Sequence, residues 1–265
     1  MGRRLSEHLF ERQIGFHLYG LAAAALGVVG IVWGDFALVW QPVPAGVPGR
    51  TVLAYIVGAA LLSAGAAMQW RRTAVLGSEI LTALYALGVL LLHVPLVMAH
   101  PLIAGTWLGL AEQLALVAGG LVAYAAAARI GAVPAARLFK TGRVILGVCL
   151  VVFGLAHFVY VNETAALVPK WLPPNQIFWA YATGIAHWAA GAAILSGILA
   201  NAAAKWLTAM FFGFGVLVHA PLLFIDPHSH MNWTANAMNL ALIGAAWVIA
   251  ESMATPAQRS AANRT

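Results

Sequence analysis

The sequence contains few charged residues. Asp, Glu, Lys and Arg make up 8% of its 265 residues, whereas 62% of them are hydrophobic. A soluble domain usually carries roughly 25% charged residues, because its surface must be hydrated. A chain this poor in charge cannot cover a water-exposed surface. We therefore expect the lipid bilayer to be its solvent.

Several motifs are also absent. The single cysteine, Cys149, lies in an apolar stretch, which excludes an intrachain disulfide and predicts a small buried side chain. No glycine-rich nucleotide loop, nucleophile motif or His-Glu-x-x-His zinc motif occurs, which argues against ATPases and hydrolases. The formal net charge is +6, but the basic residues lie in short segments between apolar runs. Nucleic acid is therefore not an expected partner.

Long apolar runs dominate what the sequence does contain. A run of roughly 20 apolar residues crosses the hydrocarbon core as a helix. The first run has no small-residue cleavage site, so we interpret it as a retained helix rather than a removed signal peptide. The sequence predicts an all-α integral membrane protein with eight transmembrane helices. They cover about residues 15–39, 51–70, 74–99, 106–128, 141–161, 177–199, 203–225 and 232–252.

The basic residues are distributed unevenly between the two sides that eight spans define. Of the 14 Lys and Arg residues, only Arg50 and Lys170 fall on one side. Since basic loops are retained in the cytoplasm, both termini are predicted to be cytoplasmic, in a bacterial-type plasma (inner) membrane. The residues assigned to the cytoplasmic side are Arg3, Arg4, Arg12, Arg71, Arg72, Arg129, Arg137, Lys140, Arg143, Lys205, Arg259 and Arg264.

The two halves of the chain match after a shift of about 126 residues. The most specific match is His-x-Pro-Leu, which begins at His93 and at His219 and is followed in each half by a later Pro and a Trp. This predicts a first four-helix repeat over residues 1–133 and a second over 134–265. Four spans in each repeat give both the same orientation, so they form parallel tandem bundles. In each motif the imidazole is expected to bond the carbonyl that the proline frees.

Polar side chains inside a membrane are costly and are therefore functional-site candidates. In the second half they cluster toward the outer ends of four neighbouring helices, which predicts an outward-facing pocket. In the first half, His93 and Glu112 lie at a similar depth and form a candidate secondary polar pair. A carboxyl group there is expected to be protonated or paired. The candidate pocket residues of the second half are His157, His187, His219, Asn236 and Asn239.

The residue pattern leaves the activity open. Imidazoles ligate metals, and two facing histidines hold a haem, but no local ligand spacing is present. A quinone headgroup, another small hydrophobic molecule or a small anion are the other candidate ligands. The same side chains could instead bond neighbouring helices and hold the bundle together. An enzyme, a small-molecule or ion transporter and a non-catalytic membrane assembly subunit all remain open.

Several short motifs follow one another in the second half: Gly154-Leu-Ala-His157-Phe158, Val168-Pro169, Leu172-Pro173, Gly184 and Gly191. Through these residues, the chain resembles the DoxX-like membrane protein family over about residues 145–225. The resemblance implies a four-helix bundle unit, with His157 as its motif residue, and a link to quinone-coupled sulfur oxidation or membrane redox homeostasis. A quinone therefore ranks ahead of a haem or a metal ion as the expected ligand. The duplicated chain departs from the single units of most members, and the first half has Gly30-Ile31 in place of His-Phe.

Overall fold

The computed structural model describes residues 13–253 of the chain. Every regular element in that part is helical. The predicted cytoplasmic termini lie outside the described residues, together with Arg3, Arg4, Arg12, Arg259 and Arg264.

The described chain forms a series of long helices that are joined mostly by short connections. A short 3₁₀ turn, Leu38–Trp40, follows the first helix. Two of the long helices are interrupted by π turns. The helices are α1 (Ile14–Trp33), α2 (Arg50–Ala67), α3 (Ala74–Gly88, Val89–His93 and Val94–Ala99), α4 (Ala104–Ala127), α5 (Ala132–Val159), α6 (Val161–Leu167), α7 (Gln176–Ser196), α8 (Ala200–Phe214, Gly215–His219 and Ala220–Ile225) and α9 (His230–Ser252).

Seven of these helices are long and apolar enough to cross a membrane, so the chain is an all-α, multi-pass membrane protein. Their outward faces carry large apolar side chains such as Leu90, Leu91 and Val216, which suit contact with lipid. The long helix outside this set is α7. Its 21 residues include the polar side chains of Gln176, Thr183 and His187.

Helices α4 and α9 lie at the centre of the bundle and pack against each other. Each also packs against the first helix of the other half, α4 on α5 and α9 on α1. A Cβ atom added to Gly119 of α4 would lie 2.7 Å from the Cβ of Ala245 on α9. Small side chains therefore let the two central backbones approach closely.

After the first pair, corresponding helices of the two halves begin at the same spacing. Helices α2 and α7 begin at Arg50 and Gln176, and α4 and α9 begin at Ala104 and His230, so each pair is 126 residues apart. The order of packing is also the same, α1–α2–α3–α4 in one half and α5–α7–α8–α9 in the other. Both observations support the predicted duplication.

Helices α3 and α8 each contain a π turn shortly before a proline. The turns cover Val89–His93 and Gly215–His219, and Pro95 and Pro221 follow two residues later. A π turn suits this position because proline supplies no backbone N–H to the helix. The predicted bond to a freed carbonyl of the same helix is wrong for His93, since its Nε2 lies 3.1 Å from the carbonyl oxygen of Trp40.

Some helix boundaries differ from the predicted ones. Helix α1 ends at Trp33, before the predicted end at 39, because Gly34 takes a left-handed conformation with φ 59°. Helix α5 already begins at Ala132 rather than near 141. Helix α6 lies where the sequence predicted part of an outer loop.

Candidate functional site

A cavity of about 480 Å³ lies at one end of the second half. Its walls come from α5, α7, α8 and α9, and α4 of the first half closes one side. Helix α6 and the proline-rich segment after it, residues 168–172, cover the cavity as a cap. Most of the lining is apolar, as is usual for small-molecule sites. The polar lining residues are Glu112, His157, Tyr160, Thr164, Thr183, His219 and Asn239, and the tryptophans are Trp40 and Trp179.

Two histidines lie side by side on α5 and α7. The ring centroids of His157 and His187 are 4.7 Å apart. Each Nδ1 lies 2.8 Å from the carbonyl oxygen of the residue four positions earlier, Phe153 and Thr183 respectively. Because a carbonyl only accepts, each neutral ring carries its proton on Nδ1 and a lone pair on Nε2. No described residue hydrogen-bonds the Nε2 of His157, which thus offers the cavity an acceptor.

The second ring of the pair, His187, is only 1% exposed and lies behind His157. Aromatic rings of Phe153, Phe211 and Phe214 surround it, with centroids 5.7 to 6.3 Å away. His187 therefore supports the wall of the cavity rather than lining it.

Glycine brings these two helices together. A Cβ atom on Gly184 of α7 would lie 2.9 Å from the Cβ of His157. A Cβ on Gly154 of α5 would lie 2.2 Å from Cδ1 of Trp188, whose indole nitrogen donates to the carbonyl of Val151 at 2.9 Å. The glycines thus allow the close contact that places both imidazoles at one depth.

The other predicted polar residues of the second half divide into lining and supporting groups. His219 and Asn239 line the cavity. The amide of Asn239 donates to the carbonyl of Phe211 at 3.1 Å. The amide of Asn236 donates to the carbonyl of His219 at 2.6 Å and so fixes α8 against α9. Nδ1 of His219 is buried and has no hydrogen-bond partner among the described residues.

Glu112 belongs to the same cavity, although it lies on a helix of the first half. The indole N–H of Trp40 donates to its Oε2 at 2.9 Å, while the carbonyl of Trp40 accepts from Nε2 of His93. Trp40 therefore bridges the two residues that the sequence predicted as a pair. No hydrogen bond joins His93 and Glu112 directly in the described chain, and His93 is not a lining residue.

The geometry tests the metal and haem alternatives. Within residues 13–253, no group of three or more His, Cys, Asp or Glu side chains could hold a metal ion. Axial imidazoles on one haem iron have ring centres roughly 6 Å apart or more, since each metal–nitrogen bond is about 2 Å long. The 4.7 Å between the centroids of His157 and His187 is too short for that arrangement. The cavity suits an organic ligand better.

A second hollow lies at the opposite end of the second half and is lined by Lys140, Arg143 and Lys205. Fully buried leucine and isoleucine side chains separate it from the cavity. This apolar layer consists of Leu146, Leu150, Ile194 and Leu207. No polar side chain of this layer connects the two hollows, which argues against a continuous polar path through the second half.

Fold and site together define a multi-pass helical membrane protein with a capped, largely apolar cavity. A family model for a domain of unknown function (DUF8561) matches residues 146–250. That segment runs from α5 to α9 and contains most of the cavity wall. Comparisons with curated proteins and with solved structures find no match.

The structure adds lining residues that the sequence did not indicate. Trp40 precedes a proline-containing loop, and nothing in its surroundings shows that it reaches Glu112. The hydroxyl oxygen of Tyr160 accepts from the backbone N–H of Gly105 at 2.8 Å, which leaves its own O–H available. A tyrosine next to the His-Phe motif was the one available signal for this position.

Proposed function

We propose that the protein binds the headgroup of a membrane quinone in this cavity and serves quinone-linked redox chemistry. The observation that carries the proposal is the pairing of an acceptor, Nε2 of His157, with an available donor, the O–H of Tyr160, in an apolar cavity. A quinone ring is apolar and has oxygens at opposite ends. Those oxygens accept hydrogen bonds in the quinone and donate them in the quinol, so such a site can bind both forms. The resemblance of the His157 region to the DoxX-like family supports the same ligand class.

Each polar group has a definite role in this proposal. His157 accepts a hydrogen bond from the quinol hydroxyl on Nε2, because its Nδ1 proton is committed to the carbonyl of Phe153. Tyr160 donates to a quinone oxygen. Glu112 and Asn239 present further oxygens to the ligand, and the cap excludes water from the ring.

The membrane arrangement is part of the proposal. We place eight spans as two parallel four-helix repeats, with both termini in the cytoplasm of a bacterial-type cell. The 21 residues of α7 extend about 31 Å at 1.5 Å per residue, which matches a hydrocarbon core of about 30 Å. The constant offset of the helix starts supports counting α7 as the counterpart of α2. The cavity then opens toward the extracytoplasmic side.

Filling the cavity tests the proposal without removing a polar group. A Cβ atom on Gly213, which lines the cavity, meets no atom within 4 Å. The Gly213→Leu variant should therefore fold normally and occupy the ligand's space. We expect its affinity for a short-tailed ubiquinone analogue to fall by about tenfold or more, equivalent to about 1.4 kcal/mol. Quenching of tryptophan fluorescence by the analogue measures this, since Trp40 and Trp179 line the cavity.

The matched control is Gly88→Leu on α3, where an added Cβ also meets no atom within 4 Å. It should bind the analogue like the wild type. Equal affinities of the wild type and the Gly213→Leu variant would refute quinone binding in this cavity. Wild-type function after joint alanine substitution of His157, His187 and His219 would instead favour a structural role for the three histidines.

A further inference from the structure

The hollow opposite the cavity is strongly basic. It has a volume of about 690 Å³ and lies where α5, α8 and α9 meet. Lys140 and Arg143 reach it from α5, and Lys205 reaches it from α8. No described residue forms an ion pair or hydrogen bond with any of the three side chains. The carboxyl of α9, Glu251, accepts from the backbone N–H of Gly15 at 3.1 Å through Oε1, and its Oε2 is buried without a partner among the described residues.

One atom of Arg143 indicates that the positive charge of the hollow lacks a hydrogen-bond acceptor. Its Nε is buried and has no hydrogen-bond partner among the described residues. A buried, unpaired donor of a charged group is costly, and a bound acceptor would relieve that cost. Lysines at a membrane surface can remain hydrated, but a buried guanidinium nitrogen cannot. This atom distinguishes the hollow from an ordinary basic loop.

The backbone at the start of α8 adds to the positive electrostatic potential of the hollow. Leu199, which precedes α8, has a φ of 55°, and no side chain caps the helix. The side chain of Asn201 is directed to the carbonyl of Ala250 at 2.7 Å. The first residues of α8, 200–202, line the hollow together with the three cations, and a helix N-terminus favours anions.

The corresponding place in the first half lacks these features. A shift of 126 residues puts His17 at the position of Arg143, Glu79 at that of Lys205 and Ile14 at that of Lys140. The first half carries Arg71 at the position of Gly197, which lines the hollow, but none of the three cations has a Lys or Arg counterpart at its own position.

We propose that this hollow binds a phosphate group, with Arg143, Lys205 and Lys140 as its cationic ligands. A guanidinium fork beside backbone N–H groups is well suited to phosphate oxygens. The phosphate of an anionic phospholipid and free inorganic phosphate share this chemistry. The site is independent of the quinone cavity and lies at the other end of the same helices.

Thermal unfolding of the full chain in detergent tests this assignment. Phosphatidylglycerol, phosphatidylcholine and inorganic phosphate are added separately. We expect phosphatidylglycerol to raise the Tm of the wild type. The concentration needed for half of that rise should increase about tenfold in the Arg143→Gln variant, because charge-assisted hydrogen bonds are lost. Lys205→Gln gives a second, surface variant if Arg143→Gln does not fold.

The control is Arg72→Gln, which removes an exposed cation that does not line the hollow. It should respond to phosphatidylglycerol like the wild type. A Tm rise with inorganic phosphate and none with the lipid would support the site with free phosphate as its ligand. The proposal is overturned if neither raises the Tm, if phosphatidylcholine acts equally, or if Arg72→Gln weakens the response as much as Arg143→Gln.

Discussion

Around the cavity, backbone carbonyls hold many of the polar side chains in place. The Nδ1 atoms of His157 and His187 and the amides of Asn236 and Asn239 all bond main-chain oxygens. In an apolar surrounding these bonds offset the cost of burying each polar group. A structural role and a ligand-binding role are therefore compatible in one residue. In His157, Nδ1 bonds a carbonyl of its own helix, and Nε2 faces the cavity.

The contact between Trp40 and Glu112 can be measured by a double-mutant cycle. Glu112→Leu leaves the indole N–H of Trp40 without its acceptor, so we expect the free energy of unfolding to fall by about 1 to 2 kcal/mol. Trp40→Phe should cost a similar amount. The double variant should cost less than the sum, with a coupling of about 1 kcal/mol, because neither partner is then left unpaired. Unfolding in detergent gives the free energy of unfolding of the wild type, of the two single variants and of the double variant.

Trp179 provides the control for that cycle. Its indole N–H donates to the carbonyl of Pro173 at 2.8 Å, away from Glu112. The Trp179→Phe and Glu112→Leu changes should therefore be additive. Additivity between Trp40→Phe and Glu112→Leu would show that the hydrogen bond seen here contributes nothing to stability.

Sequence reasoning located the polar residues by depth but not by direction. Spacing along a helix gave similar depths for His157, His219, Asn239 and Glu112, and all four line the cavity. It could not show that Glu112 faces the second half, because that depends on how α4 packs against α5 and α9. Trp40 could not be placed at all, since its position is set by the fold of a loop.

Within the helices, the two π turns have different consequences despite equal positions. In α8 the turn ends at His219, which lines the cavity. In α3 it ends at His93, which is 1% exposed and bonds a loop carbonyl instead. The same kinked scaffold thus carries a ligand-facing imidazole in one half and a structural one in the other.

Removing each proline tests this difference. Pro221→Ala restores a backbone donor and should let α8 return to regular α-helix, which turns His219 away from the cavity. We expect affinity for the quinone analogue to fall by about tenfold, while stability is kept or rises by about 1 kcal/mol. Pro95→Ala should leave the affinity unchanged. Titration of both variants and the wild type with the quinone analogue measures these affinities. Equal affinities of Pro221→Ala and the wild type would show that the π turn does not orient His219 for binding.

Helix boundaries were predictable where apolar runs were continuous. The predicted spans 74–99, 203–225 and 232–252 lie within a few residues of α3, α8 and α9. Predictions failed where short-range geometry decides, as at Gly34 and in the short helix α6. The helical part of the cap carries no strong apolar period that would have indicated it.

For the whole molecule, the two halves have the same helix order but differ in chemistry. The first half has no histidine at the positions that correspond to His157 and His187, so only the second half carries the imidazole pair. The first half contributes Trp40 and Glu112 across the central contact between the repeats. The cavity is therefore a composite of both halves, since α4 lies at the boundary and faces the second half.

The eight-span arrangement depends on α7 crossing the membrane, and cysteine labelling tests this. In a Cys149→Ser background, Lys170→Cys lies before α7 and Ile198→Cys lies after it, where Ile198 is 71% exposed. We expect an impermeant maleimide to label the first variant in intact cells and the second only after permeabilisation, because the two ends of a spanning helix face opposite sides. Arg72→Cys should behave like Ile198→Cys. Labelling of Ile198→Cys in intact cells would leave seven spans and put the basic hollow outside the cytoplasm.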